Sequence, residues 1–402
     1  MNRLVYLFLF LAIIFIKYDI YSQTSTPKAR IKSSDLIENE KKPEYAKELQ
    51  EIVDSIDSIY TNAYENLKKG DKLIIFIHSA HGRLPSGEWQ GGWETKRVSC
   101  TDMPEEHYST AFSRKLFDLL KANPNIQIET HEEYLDVLNR KTNEYKYLNF
   151  TAGAQAANEK KAFIMLSQHL NNVAMNKKAG GTTNIPGIHI LMDSNDNYYL
   201  GSISTVFSGF LTLYNKFDAG GFSREYATLL KTKLVQKGLK ANGWEGGTVG
   251  DDRFVYFLNC PISIIFESGF ISNIAEEKKM NDPTYQNIIV KEQYNALLES
   301  FKNFWGFDIS GKKPVFIKAV PHDSIEMMKL SRIAIYYLKK TETQKAIKAI
   351  DEILAMESEL RREVPETFER IKGELINAKS DNLDIPAPSE HRWLYIFTKN
   401  TI

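Results

Sequence analysis

From Lys72 onward the apolar positions alternate between short continuous runs and stripes at helical spacing. Leu73 to His78, Ile126 to Thr130, Ala162 to His169, Gly187 to Met192 and the run from Cys260 to Phe266 are short and rich in β-branched residues, so they read as buried strands. Tyr108 to Ala122, Glu144 to Lys160, Ser223 to Lys237 and Pro283 to Trp305 read instead as helices. This alternation predicts an α/β fold: a mostly parallel twisted sheet flanked by helices, with ligands bound beyond the carboxyl ends of its strands. The Cys260 strand is expected to end at Glu267 and to turn sharply at Gly269.

The flanks have different patterns. Met1-Asn2-Arg3 and the apolar run Leu4 to Ile16 form a charged start and a short hydrophobic segment, as in a secretory signal. Ile20-Tyr21-Ser22 is a poor small-residue cleavage site, so an uncleaved anchor stays open, and with it membrane attachment. Export would place the protein in the periplasm or outside the cell. Gln23 to Lys42 is polar and reads as an exposed linker. Pro43 to Lys69 repeats Leu49, Ile52, Val53, Ile56, Ile59 and Tyr60 at three and four, a helix closed by Gly70. Past Phe307, Gly311-Lys312-Lys313-Pro314 looks like a linker, and Ser324 to Lys379 reads as two or three amphipathic helices. These are either a hairpin packed on the main domain or a surface for a protein partner. The chain thus divides into 1–22, 23–70, 71–307 and 308–402, the last an α-helical C-terminal extension.

Composition narrows the function. The 402 residues are 43% hydrophobic and 25% charged with zero formal net charge, enough for a sizeable core and contrary to the basic balance of a nucleic-acid binder. Cys100 and Cys260 are the two cysteines, and in an exported chain they could be bridged or remain two thiols.

Three groups suited to metal or acid-base chemistry fall at equivalent strand ends: His81 just beyond the first strand, His169 at the end of the third, and Glu267 at the end of the last. His78 is a candidate supporting or alternative ligand. His189 reads as structural, and His107 and His131 are weaker candidates. A hydrolytic zinc takes three protein ligands and keeps one position open, two His and one Glu being a known set. The acidic stretch Pro104-Glu105-Glu106 could supply the carboxylate, although two acids also make an ordinary helix start.

Over roughly Lys72 to Gly306 the chain resembles the zinc-dependent N-acetylmuramoyl-L-alanine amidases of the amidase 3 family. The resemblance rests mainly on three segments, with Ala157-Asn158 preceding His169 at the family's usual separation. Pro261 to Asn273 is similar to the family's closing motif, a strand leading to Glu, then Gly-Phe and Ser-Asn; Ser167-Gln168-His169-Leu170-Asn171 is similar to its Ser-x-His-x-Asn segment; Ile74 to Gly82 is similar to its first strand and His-Gly turn. The resemblance implies a phosphorylase/hydrolase-like α/β domain with zinc on His81, Glu105 and His169, Glu106 being the adjacent alternative to Glu105. It also implies Glu267 as catalytic acid-base, Asn171 as a substrate contact, and peptidoglycan as substrate.

The chain also departs from the family pattern. His78-Ser79-Ala80 stands where the family has Asp-Pro-Gly, Thr130-His131 where it has Thr-Arg, and Gly153 where it has an arginine. An insertion from about Pro85 to Met103 carries Trp89 and Trp93, and the long stretch from Asn172 to Gly221 could wall or cover a groove. Another zinc peptidase or carboxypeptidase, with Arg253 holding a terminal carboxylate, and a non-catalytic peptidoglycan-binding protein are the competing readings.

Overall fold

The computed structural model describes residues 31–78, 81–83, 103–146, 150–171, 190–192, 198–200, 208–215, 222–242, 248–251, 260–271, 273–317, 322–340, 342–360, 369, 372–373 and 376. The expectations for the signal segment, Trp89, Trp93, Cys100, His189 and Arg253 fall outside them. Among the described residues no helix is long and apolar enough to cross a membrane.

The central sheet comprises β1 (Leu73–His78), β2 (Ile126–Glu129), β3 (Ile164–Asn171), β6 (Leu211–Asn215), β7 (Thr248–Asp251) and β8 (Ile262–Phe270), in the order β2-β1-β3-β8-β6-β7. The first four strands of that order run parallel. β6 and β7 run parallel to each other but antiparallel to the rest, because β6 pairs antiparallel with β8. β4 (Ile190–Met192) does not join this sheet as the sequence reading expected. It pairs antiparallel with β5 (Tyr198–Leu200) in a separate two-stranded ribbon.

Strand alternation sorts the core into two layers. Ile75, Ile77, Ile164, Leu166, Ile262, Ile264 and Phe266 share one buried cluster with Phe112 and Leu116 of α3 (Glu105–Lys121), Leu230 of α6 (Phe222–Gln236) and Ile289 and Leu297 of α8 (Pro283–Ser300). Phe76, Met165, Ile265 and Leu211 form the other cluster with Ala154 and Ala157 of α5 (Phe150–Glu159). The small alanines let α5 lie close against the strands.

A 27-residue helix, α2 (Pro43–Lys69), starts with Pro at its first turn and ends where Gly70 takes φ +87°, a left-handed cap that glycine adopts without a Cβ penalty. Its second half, from Ile56 to Leu67, belongs to the main core. Leu49 and Val53 of its first half pack with α9 (His322–Lys339) and α10 (Thr343–Leu360) in a separate cluster. The C-terminal helices are therefore a hairpin seated on α2. The segment expected as a loose linker contributes to the same cluster: α1 (Ser33–Glu38) buries Leu36 and Ile37, and Glu40 accepts from Lys345 Nζ at 2.7 and 2.9 Å and from the Tyr337 hydroxyl at 3.0 Å.

Two boundaries differ from expectation in ways that affect the site. β8 does not stop at Glu267 but continues through Gly269 to Phe270, buried along its whole length. Residues 144–160 hold a shorter helix, α5, preceded by an additional one, α4 (Glu132–Leu138), with His131 as its N-cap.

Candidate active site

β1, β3 and β8 deliver their last residues to one edge of the sheet. β3 and β8 pair with His169 opposite Glu267, and residues directly opposite in a ladder project from the same face, so the imidazole and the carboxylate stand side by side. The register slips between His169 and Asn171, which locally re-aims the end of β3. His81 lies three residues past β1 with φ +53°, a left-handed conformation that costs a residue with a Cβ about 1–2 kcal/mol. Such an outlier at a cluster of chemically active groups marks a position held by its surroundings for a reason other than stability.

Glu105 starts α3, and its side chain reaches the strand ends. It is fully buried; Oε1 accepts from the Leu170 backbone N–H at 2.9 Å and lies 3.3 Å from His169 Nδ1, while Oε2 lies 3.2 Å from His81 Nε2. The two imidazoles meet edge to face with centroids 5.2 Å apart. Among the described residues, His81, Glu105 and His169 are the group whose donor atoms could hold a metal, all within 4.8 Å of one another. A carboxylate taken wholly out of water needs compensating positive charge or donors. The Leu170 N–H supplies one such donor, and the carboxylate together with the two imidazole nitrogens beside it makes a two-nitrogen, one-oxygen ligand set that fits a small divalent cation such as zinc.

The neighbouring acid is not part of this group. Glu106 is buried elsewhere in α3, near the Tyr145 phenol, whose pKa is raised first by burial and then by Tyr134 and Glu106. Glu267 is 5% exposed at the same sheet edge. Asn171 ends β3 with its Nδ2 buried and without a hydrogen-bond partner among the described residues. His78 is buried beneath the site, 2.9 Å from Ser167 Oγ. His107 is exposed on α3, and His131 accepts the Tyr134 N–H as a helix cap, so neither joins the cluster.

Two structural elements of this edge were not read from the sequence. Ser167 links His78 to His169, its Oγ lying 2.9 Å from Nε2 of the latter. Glu276, in α7 (Ile274–Met280), accepts from Gly209 N–H with both oxygens, at 2.8 and 3.0 Å, and from Phe270 N–H at 2.9 Å. It thereby ties the end of β8 to the approach to β6. A Cβ on Gly269 would strike the Met280 methyl and lie 3.0 Å from Glu276 Oε2, which explains the glycine there. The sequence signal was the Asn-x-x-Glu spacing of Asn273 and Glu276, which reads as a capping box. Asn273 does cap the helix, but the Glu276 carboxylate turns to the strands instead.

No curated protein matches this chain significantly. Among solved structures, the chain is similar to an N-acetylmuramoyl-L-alanine amidase from Clostridium difficile 630, with 19% identity, covering 58% of this chain and 98% of that one at a TM-score of 0.40. It is also similar to the catalytic domain of the amidase CwlV from Bacillus (Paenibacillus) polymyxa var. colistinus, with 17% identity, 57% and 98% coverage and a TM-score of 0.39. For the amidase AmiC2 of Nostoc punctiforme the values are 16%, 58%, 99% and 0.39. Residues 75–299 match the Amidase_3 family model, described as N-acetylmuramoyl-L-alanine amidase, and this span runs from the first strand of the sheet to the end of α8, with every residue of the buried His-Glu-His group and Glu267 inside it. The chain belongs to the N-acetylmuramoyl-L-alanine amidase family.

Proposed function

We propose that this protein is a zinc-dependent amidase that hydrolyses the bond between N-acetylmuramic acid and L-alanine in peptidoglycan. The observation that carries the reading is the buried His81, Glu105 and His169 group with Glu267 in register beside His169. Zinc held by those three side chains would polarise the scissile carbonyl and make water nucleophilic near neutral pH. Glu267 takes the proton of the attacking water and returns it to the departing amine, so one carboxylate serves as base and then acid. The Asn171 amide, a buried donor at the end of β3, orients the substrate through a hydrogen bond. Family membership supplies the substrate class, and the N-terminal apolar run supports export to the compartment where peptidoglycan lies.

No observation among the described residues favours a terminal-carboxylate peptidase. A purely binding protein would have no need for a fully buried carboxylate between two imidazoles. Glu267→Gln tests the reading, because it keeps size and removes the base. The variant is expected to retain zinc and to release stem peptides from purified peptidoglycan about 10²–10⁴-fold more slowly. Undiminished release would remove Glu267 from the mechanism.

A further inference from the structure

Behind the two candidate ligand histidines lies a third. His78 is 3% exposed, and β1 and β3 pair it with Ser167, which puts both side chains on the same face. The Ser167 hydroxyl stands between two imidazoles, 2.9 Å from His78 Nδ1 and 2.9 Å from His169 Nε2. His169 turns its other nitrogen, Nδ1, to Glu105. The ring of His78 is covered by α5 at Gly153, where any Cβ would collide with its Cδ2 and Nε2 atoms. His78 and Gly153 both depart from the family pattern, and here they touch.

A hydroxyl has one proton, so the chain has a direction. For His169 to present a lone pair at Nδ1, its proton must be on Nε2, from which it donates to Ser167 Oγ. Ser167 then donates to His78 Nδ1, which must accept, leaving the His78 proton on Nε2. The opposite direction would put a proton on His169 Nδ1 and block it as a ligand. We propose that Ser167 and His78 are positioning residues that hold His169 in its Nε2–H tautomer, with the Nδ1 lone pair aimed at the Glu105 side of the site. The inference rests on the metal reading above and adds to it an imidazole as the outer hydrogen-bond acceptor. Outer partners of metal-bound histidines are generally worth about 10–100-fold in metal affinity.

The test is zinc affinity by chelator competition in the full chain, with the melting temperature of the metal-free protein as a fold control. Ser167→Ala and His78→Leu should each weaken zinc binding about 10–100-fold. His78→Asn, whose Oδ1 can accept where Nδ1 does, should stay near wild type, and Gly153→Ala, which displaces the ring, should behave like His78→Leu. In ¹⁵N spectra of the zinc-loaded protein, His169 should carry its proton on Nε2. Should His78→Leu fail to fold, Ser167→Ala decides the matter. A folded Ser167→Ala protein that binds zinc as tightly as a zinc-binding wild type would overturn this inference alone. A wild type that binds no zinc would overturn the metal reading and this inference with it.

Discussion

Glu276 carries a structural prediction that does not depend on the metal. Its carboxylate satisfies two buried backbone donors, Gly209 N–H and Phe270 N–H, and Glu276 is itself 5% exposed. Glu276→Ala removes the carboxylate that both donors use. Each unpaired buried donor costs about 1–3 kcal/mol, so the loss should be about 2–6 kcal/mol. That is a large share of the roughly 5–15 kcal/mol by which domains are stable. Glu276→Gln keeps one acceptor and sets an amide N–H₂ against the second donor, so about half the loss is expected. Urea unfolding followed by tryptophan fluorescence gives both numbers. Because Phe270 is three residues beyond Glu267 on the same strand, release of stem peptides by the folded fraction of Glu276→Gln should fall as well. An alanine variant within about 0.5 kcal/mol of wild type would refute the reasoning, since that is the scatter of a surface substitution.

Two further predictions concern ionisable groups. The His131 pKa is lowered from 6.5, chiefly by burial and partly opposed by Glu133, and its Nδ1 must be unprotonated to accept the Tyr134 N–H. The unfolded chain therefore binds this proton more readily, and the contribution is intact above 6.5 and lost as pH falls through the lower folded value. His131→Asn caps without titrating, so its stability should fall less than that of wild type between about pH 7.5 and pH 5.5; equal falls would contradict this. The Cys260 thiol is buried, free and pushed up to about 12 by desolvation, partly offset by Arg332. In a Cys100→Ser background a thiol reagent should label nothing in the native protein and one thiol in denaturant, whereas rapid native labelling would place Cys260 at the surface.

β1, β3 and β8 were legible because each is a continuous buried apolar run, and the histidines were legible because they sit at the ends of those runs. β6 and β7 were not. Leu211–Asn215 mixes Thr and Asn into five residues, and Thr248–Asp251 is four residues with a glycine, so neither carries a strand pattern of its own. Their pairing is set by the neighbouring strands, a tertiary effect that local propensity does not contain. α1 escaped for a similar reason: six residues with two buried apolar side chains form a helix by docking on the C-terminal hairpin. At the site, an acid at a helix start explains itself electrostatically, so choosing Glu105 needed the family resemblance, and seeing it reach Leu170 and both imidazoles needed coordinates. The Ser167 link is a pairing of side chains from two strands and depends on a register that no sequence pattern states.

The most direct test of the account is zinc content together with stem-peptide release, measured on the purified protein beside His169→Ala. The account predicts close to one zinc per chain and peptide release from peptidoglycan in wild type, with both lost in the variant. A wild type that releases peptides without bound metal, or one that binds zinc and leaves peptidoglycan intact, would contradict it.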